Sequence, residues 1–262
     1  DDNHQDDRRE KDGEEGYGMK LECTVVGAGL AGCEAAWQLA ERGVHVMLHE
    51  MKPQKMTPAH HCNDFAELVC SNSLRGDRLE NAVGLLKEEL RRLGSLILQC
   101  AEANRVEAGG ALAVDRYGFS GMVTEKIRSH PNITVVEGEV SEVPQGPVII
   151  ATGLGRSEEL GAAIQTYFGG ADYMSFFDAA APLVSFESID MERAWFASRY
   201  DRGEADYVNC SMERDEYAAF VEALTTAEEA EVHGFEDSKV FEGCMPVEVM
   251  ARRGFDTLRY GP

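Results

Sequence analysis

The chain has 262 residues, enough for one large domain or one and a half ordinary ones, and its 44% hydrophobic content supports a packed core. Its 47 acidic and 25 basic residues give a net charge of −22, which disfavours nonspecific contact with nucleic acid because a polyanion is repelled at long range. No apolar run approaches the ~20 residues of a membrane span. The acidic N-terminus shows no secretory signal, and the seven cysteines (23, 33, 62, 70, 100, 210 and 244) are an odd number without framework spacing. Neither a membrane-spanning helix nor a disulfide scaffold is expected, and the thiols read as reduced in a cytoplasmic protein.

Residues 1–18 hold eight acids, three bases and almost nothing apolar, so they read as a disordered acidic tail. The remaining body keeps −17 of the charge, and Met19 reads as an ancestral start. Glu22 to Val26 is a short apolar run suited to a central strand. It leads into Gly27-Ala28-Gly29-Leu30-Ala31-Gly32, the pattern G-x-G-x-x-G, and Ala35 to Arg42 continues as a helix. Gly43 stops that helix, and Val44 to Glu50 alternates like a second strand. In such a βαβ unit Gly27 lets the chain turn off the strand, Gly29 lets a pyrophosphate approach the backbone, and Gly32 lets the helix pack closely. The phosphates then meet free N–H groups at a helix N-terminus. Glu50 stands 23 residues beyond Gly27, where an acid meets the ribose hydroxyls of an adenine nucleotide. Dinucleotide binding is the expectation.

Further along, Glu80 to Arg92 has Leu85, Leu86, Leu90 and Leu93 at three- and four-residue spacings and predicts an amphipathic helix. Ser95 to Cys100 either continues it or forms a strand. Gly109-Gly110 leads into a short strand ending near Val114, and Phe119 to His130 predicts a helix ended by Pro131. Ile133 to Val136 predicts a strand, followed by Glu139-Val140. Gly146 to Gly153 is an apolar strand ending in Ala151-Thr152-Gly153. Beyond it the pattern changes: Ala181 to Ile189 is strand-like, Glu213 to Ala230 helical, and Lys239 to Ala251 mixed. The expected organisation is an α/β Rossmann-like domain over 19–160 and a smaller α+β inserted or substrate domain over 161–262.

Two segments carry loop thiols among small and polar residues: Thr57 to Arg75, with Cys62 and Cys70, and Phe241 to Glu248, with Cys244. Such thiols are either half-buried and inert or nucleophiles whose pKa a neighbour lowers. His60-His61-Cys62 has no second ligand pair at zinc spacing, so no metal is expected. Lys87, Arg91, Arg92, Arg252, Arg253 and Arg259 are candidate phosphate contacts, each weighed against simple solvation on an exposed helix face.

The strand ending in Ala151-Thr152-Gly153 resembles the one that returns beside the cofactor in two-dinucleotide-fold flavoproteins, which favours FAD over NAD. Six segments together resemble the folate- and FAD-dependent tRNA uracil-5-methyltransferases: Gly27–Gly32, Thr57–His60, Phe65–Leu74, Asn81–Lys87, Gly109–Arg116 and Cys244–Glu248. The resemblance runs in order from Met19 to Pro262. It implies a methyltransferase that moves a one-carbon unit from 5,10-methylenetetrahydrofolate to C5 of the T-loop uridine 54 of tRNA. FAD supplies reducing electrons and NAD(P)H restores them. Cys244 matches the family thiol that adds to C6 of uracil, and Cys70 matches its functional partner. Gly27, Ala28, Gly29, Leu30, Ala31, Gly32, Glu50, Asn72, Ala151, Thr152 and Gly153 are the implied cofactor residues, and His60 faces folate or flavin or is a surface loop residue.

Family members continue well over a hundred residues further, which implies a C-terminally truncated chain with an incomplete FAD domain. Two alternatives remain at this point: a flavin-dependent enzyme of the wobble uridine, and an inactive FAD-binding fragment.

Overall fold

The computed structural model describes residues 21–57, 59–69, 71–153, 157–169, 184–198, 205–228 and 245–260. The acidic tail lies outside them. Strand β1 (Glu22–Val26) runs into helix α1 (Leu30–Glu41), and β2 (His45–Glu50) returns parallel to β1, pairing Glu22 with His45 and Val26 with His49. Strand β6 (Ile133–Glu137) adds outside β2, and β7 (Val148–Ile150) adds on the other side of β1, giving the parallel order β6-β2-β1-β7. This is the Rossmann-like α/β arrangement expected from the glycine pattern. The crevice beyond the carboxyl ends of its strands is where such sheets take ligands.

Between β2 and β6 lie β3 (Ser73–Gly76), α2 (Ala82–Arg92), α3 (Leu96–Ala103), β4 (Arg105–Val106), β5 (Ala111–Val114) and α4 (Arg116–Ser129). Strands β3, β5 and β4 form an antiparallel sheet in that order. Helices α1, α3 and α4 pack against one another. They bury Cys33, Ala36, Leu96, Cys100, Phe119, Val123 and Ile127 against Val25, Val46 and Leu48 of the parallel sheet.

Two expectations need correction here. Helix α2 buries only part of its leucine stripe: Leu90 packs against the core, whereas Leu85, Leu86 and Leu93 are half or more exposed, and Gly84 and Lys87 face inward. A Cβ at Gly84 would stand 1.9 Å from the Arg78 carbonyl oxygen, so that helix face packs backbone to backbone and leaves no room for leucine. Lys87 reaches through it and donates to the carbonyl of Gly76 at 2.9 Å. Ser95 to Cys100 neither continues α2 nor forms a strand. Gly94, at φ +73°, breaks the helix, and Ser95 starts α3 by accepting from the Leu98 N–H.

After β7 come α5 (Glu158–Tyr167), the antiparallel pair β8 (Ala194–Ala197) and β9 (Tyr207–Cys210), α6 (Arg214–Thr226), α7 (Val247–Arg253) and α8 (Thr257–Tyr260). Of the strand predicted over 181–189, the described part is a 3₁₀ turn at Phe186–Ser188. Ser188 donates to the Ser185 carbonyl through both its N–H and its hydroxyl, at 3.0 and 2.7 Å, a local alternative to a strand ladder. The helix expected over 213–230 is α6, started by a reciprocal Glu213–Glu216 capping box. Tyr207 donates to the Ala108 carbonyl at 3.2 Å and Asp206 accepts from the Gly109 N–H, tying β9 to the turn before β5.

Candidate nucleotide-binding groove

The three glycines have three distinct steric reasons. Gly27, at φ +98°, turns the chain off β1 while its N–H donates to the His49 carbonyl at 2.8 Å. A Cβ there would fall 2.8 Å from the Ala151 oxygen, so the end of β7 closes directly against the turn. A Cβ at Gly32 would lie 1.7 Å from the Gly27 oxygen, an overlap that no rotamer relieves. At Gly29 a Cβ would meet nothing within 4 Å, so the space a side chain would fill stays open to the groove. Gly29 is also the N-cap of α1, and neither a side-chain cap nor an acid occupies the first turn. The helix therefore presents its N–H groups and positive dipole end beside that opening.

Glu50, at the end of β2, is 8% exposed and lines the same groove. One carboxylate oxygen accepts from the Ala28 N–H at 2.8 Å, the other from the Lys52 N–H at 3.0 Å. Each keeps a lone pair for a ligand hydroxyl. Facing it are Gly138, Glu139 and Val140 after β6, Thr152 after β7, and Ser157 and Leu160 at the start of α5. This set fits an adenine dinucleotide: a small-residue cradle for phosphates, an anchored carboxylate for ribose, and apolar Val26, Val140 and Leu160 for a ring.

The segment after β2 is pinned from within. Lys52 is 3% exposed, and its ammonium donates to the carbonyls of Cys62 (3.3 Å) and Asp64 (2.5 Å) and lies 3.5 Å from Glu67. Glu67 in turn accepts from the His61 N–H at 2.7 Å. Burial opposes its charge, but that hydrogen bond and Lys52 hold its carboxyl below the usual range. The latch places His60 in the groove wall, with its Nδ1 2.5 Å from the Thr57 hydroxyl. Burial, then the Lys52 charge, pushes the His60 imidazole down, against the upward pull of Glu67 and Glu50.

Of the residues expected at the cofactor, Gly27, Gly29, Glu50 and Thr152 line the groove. Ala28 is buried, its N–H on Glu50 and its carbonyl accepting from the Ala66 N–H at 2.8 Å. Ala151 and Gly32 shape the turn from behind, Gly153 follows at φ +55°, and Leu30 and Ala31 open α1. Asn72 lies on the antiparallel sheet, where its amide donates to the Val114 carbonyl at 3.1 Å. Cys70 and Cys244 fall outside the described residues. Among the described thiols, burial raises Cys33 far above its ordinary range and Cys100 to about 11, so both are inert. Ser157 and Leu160 were not anticipated as groove residues. The signal for Ser157 is its place as N-cap of α5, accepting from the Leu160 N–H. Among the described residues, no group of three or more His, Cys, Asp or Glu side chains is placed to hold a metal ion.

The profile of the family described as glucose inhibited division protein A matches residues 22–262. Curated relatives named methylenetetrahydrofolate–tRNA-(uracil-5-)-methyltransferase TrmFO include one from Geotalea uraniireducens, 59% identical over 246 residues, covering 93% of this chain and 56% of the relative. Another, from Bacillus subtilis, is 56% identical over 238 residues, covering 91% of this chain and 54% of the relative. The chain thus spans little more than half the length of these relatives. Among solved structures, the GidA-related protein from Thermus thermophilus is 15% identical, with a TM-score of 0.33, over 57% of this chain and 69% of that one. The p-nitrophenol 4-monooxygenase PnpA from Pseudomonas putida is 19% identical, with a TM-score of 0.38, over 57% and 44%.

Proposed function

The chain belongs to the family described as glucose inhibited division protein A, and on that premise we propose that its groove binds FAD in a cytoplasmic tRNA methyltransferase. The reaction is transfer of a one-carbon unit from 5,10-methylenetetrahydrofolate to C5 of the T-loop uridine 54, with NAD(P)H as reductant. The observation that carries this reading is the 59% identity to a relative bearing that enzyme name along 93% of the chain. The groove supports it, because the phosphate cradle at Gly29 and the anchored Glu50 carboxylate suit the ADP half of FAD.

Bound FAD would supply the electrons that convert the transferred methylene to a methyl group. The chain's own part is to bind and orient. The N-terminus of α1 receives the pyrophosphate, and the backbone N–H groups of Ala28 and Lys52 fix Glu50 for the ribose. Cys244 and Cys70 are assigned as a pair by resemblance. C5 of uracil is a weak nucleophile, and a thiolate adding at C6 makes it enolate-like and able to attack an electrophilic methylene. The second thiol serves as base, acid or thiol partner. When the C5 proton leaves, the carbon–nitrogen bond to the folate breaks and tetrahydrofolate departs; the first thiol is expelled from C6 once the exocyclic carbon has taken up the two electrons and proton that make it a methyl group.

The test is a methylation assay with unmodified tRNA, methylenetetrahydrofolate and NADPH, on a protein of the relatives' full length carrying this sequence. 5-Methyluridine at position 54 is expected. Cys244→Ala and Cys70→Ala should each abolish it while FAD stays bound. Absence of 5-methyluridine from the unaltered protein refutes the reading, and full activity in either variant removes that cysteine from the mechanism.

A further inference from the structure

The groove has an electrostatic problem that its lining does not visibly solve. Among the described residues that wall it are two acids, Glu50 and Glu139, and no lysine or arginine. Two lysines bonded to or adjoining lining residues are already engaged: Lys55 lies 2.6 Å from Glu139, and Lys52 is tied to Glu67 and two carbonyls. The whole chain carries −22. A dinucleotide pyrophosphate brings two more negative charges, set against an α1 dipole of only about half a charge.

We propose that His60 is a counter-charge of the groove, donating from Nε2 to a pyrophosphate oxygen of the bound dinucleotide while the Thr57 hydroxyl holds Nδ1 from behind. The inference rests on the reading that this groove takes FAD. His60 shares the groove with Gly27 and Gly29, the turn that receives phosphate, and its ring is oriented by Thr57 and by the Lys52–Glu67 latch beneath the loop. A hydroxyl both donates and accepts, so Thr57 satisfies Nδ1 whether the imidazole is neutral or protonated.

Without ligand, burial first and then the Lys52 charge disfavour the protonated ring. An arriving anion reverses that balance, so binding takes up a proton. The sign follows: the protonated ring binds pyrophosphate better, so affinity rises as pH falls through the pKa of the bound form and levels off below that of the free form. The other groups facing the ring are Glu50, Glu67, Lys52 and His61. Carboxyl and ammonium groups ordinarily titrate outside the range from pH 6 to 8. His61 lies on the outer side of the loop, and His49 is the second imidazole in the groove.

The experiment measures dissociation constants of FAD, ADP-ribose and adenosine between pH 6 and 8, by flavin fluorescence and calorimetry, for a flavin-stripped protein of the relatives' full length carrying this sequence. FAD and ADP-ribose carry a pyrophosphate that does not titrate in this range, and adenosine carries none. Both should bind about tenfold tighter at pH 6 than at pH 8, with adenosine flat. His60→Gln and His60→Asn keep a donor but cannot titrate, so they should flatten the FAD profile, whereas His49→Gln should leave it sloping. A flat wild-type profile overturns the inference alone, as does an equal slope for adenosine or a slope that survives in His60→Gln and vanishes in His49→Gln. The ligand comparison on wild type decides the matter even if a variant fails to fold. Wild type that binds no FAD at any pH overturns the groove reading beneath it, and the inference with it.

Discussion

The residues up to Gly153 and those from Ser157 onward treat their apolar side chains in opposite ways. The first region gathers Val25, Cys33, Val46, Leu48, Phe65, Leu96, Leu112, Phe119 and Ile127 into one core with no measurable exposure. In the second, the buried apolar side chains among the described residues are Leu160, Val221 and Ala251. Its β8–β9 ribbon leaves Trp195, Phe196 and Tyr207 at 48%, 49% and 40% exposure. A two-stranded ribbon is marginally stable by itself, and here it leans on side-chain links to the Ala108–Gly109 turn. The lesson is that the glycine-turn side of the groove stands on the region that supplies its own core, and the second region adds only Ser157 and Leu160 to the described lining.

Substitutions can break that contrast or sharpen it. The largest effect is expected at Gly32→Ala. Its new methyl would stand 1.7 Å from a backbone oxygen that cannot rotate away, so the turn must open. We expect a loss above about 4 kcal/mol in urea unfolding and loss of FAD binding. A folded variant with FAD intact would mean that the turn has slack that the packing does not show. Next is Phe119→Ala, at a fully buried ring between α4 and the sheet. It should cost about 3–5 kcal/mol through lost burial plus the cavity left behind.

How much of this was legible in the sequence depends on whether an element's partners lie close along the chain. The β1–α1–β2 unit was readable because a glycine turn, an apolar period and Glu50 sit within one short stretch, and of the residues it singled out Gly27, Gly29 and Glu50 line the groove. Strands β6 and β7 and helix α4 were readable from apolar runs and from Pro131. The antiparallel sheet was not: β3 and β4 are four and two residues long, and β3 exists because β5, some forty residues away, completes it. Helix α2 was legible only in part, because Leu90 packs on the core while close backbone packing at Gly84 leaves Leu85 and Leu86 outside. His60 was seen as a loop residue of open role. Its place in the groove rests on tertiary contacts around the loop, the Lys52–Glu67 pair among them, which the sequence does not show.

That latch gives a smaller prediction. Lys52→Met removes a cation from a pair whose side chains are each 4% exposed, leaving Glu67 and two carbonyls short of a donor. Breaking a buried pair typically costs about 3–5 kcal/mol. Glu67 keeps its hydrogen bond from the His61 N–H, so about 2–3 kcal/mol is expected by the same unfolding measurement. The backbone N–H that holds Glu50 survives the change, so FAD should still bind, more weakly and with a shallower pH slope because His60 loses its seat. An unchanged slope would show that the loop is fixed by something other than this pair.

The smallest effect is expected at Phe196→Ala, and it tests the contrast itself. Phe196 stacks on Phe186 at 6.1 Å, but both rings are about half exposed, so truncation removes little buried surface and opens no cavity. The cost should stay below about 1 kcal/mol, several-fold less than at Phe119, although both changes delete the same ring. Equal costs at the two sites would mean that the ribbon's aromatic face is covered in solution. The second region would then owe its stability to a contact beyond the residues described, and the contrast would reflect packing still to be found rather than two kinds of folded surface.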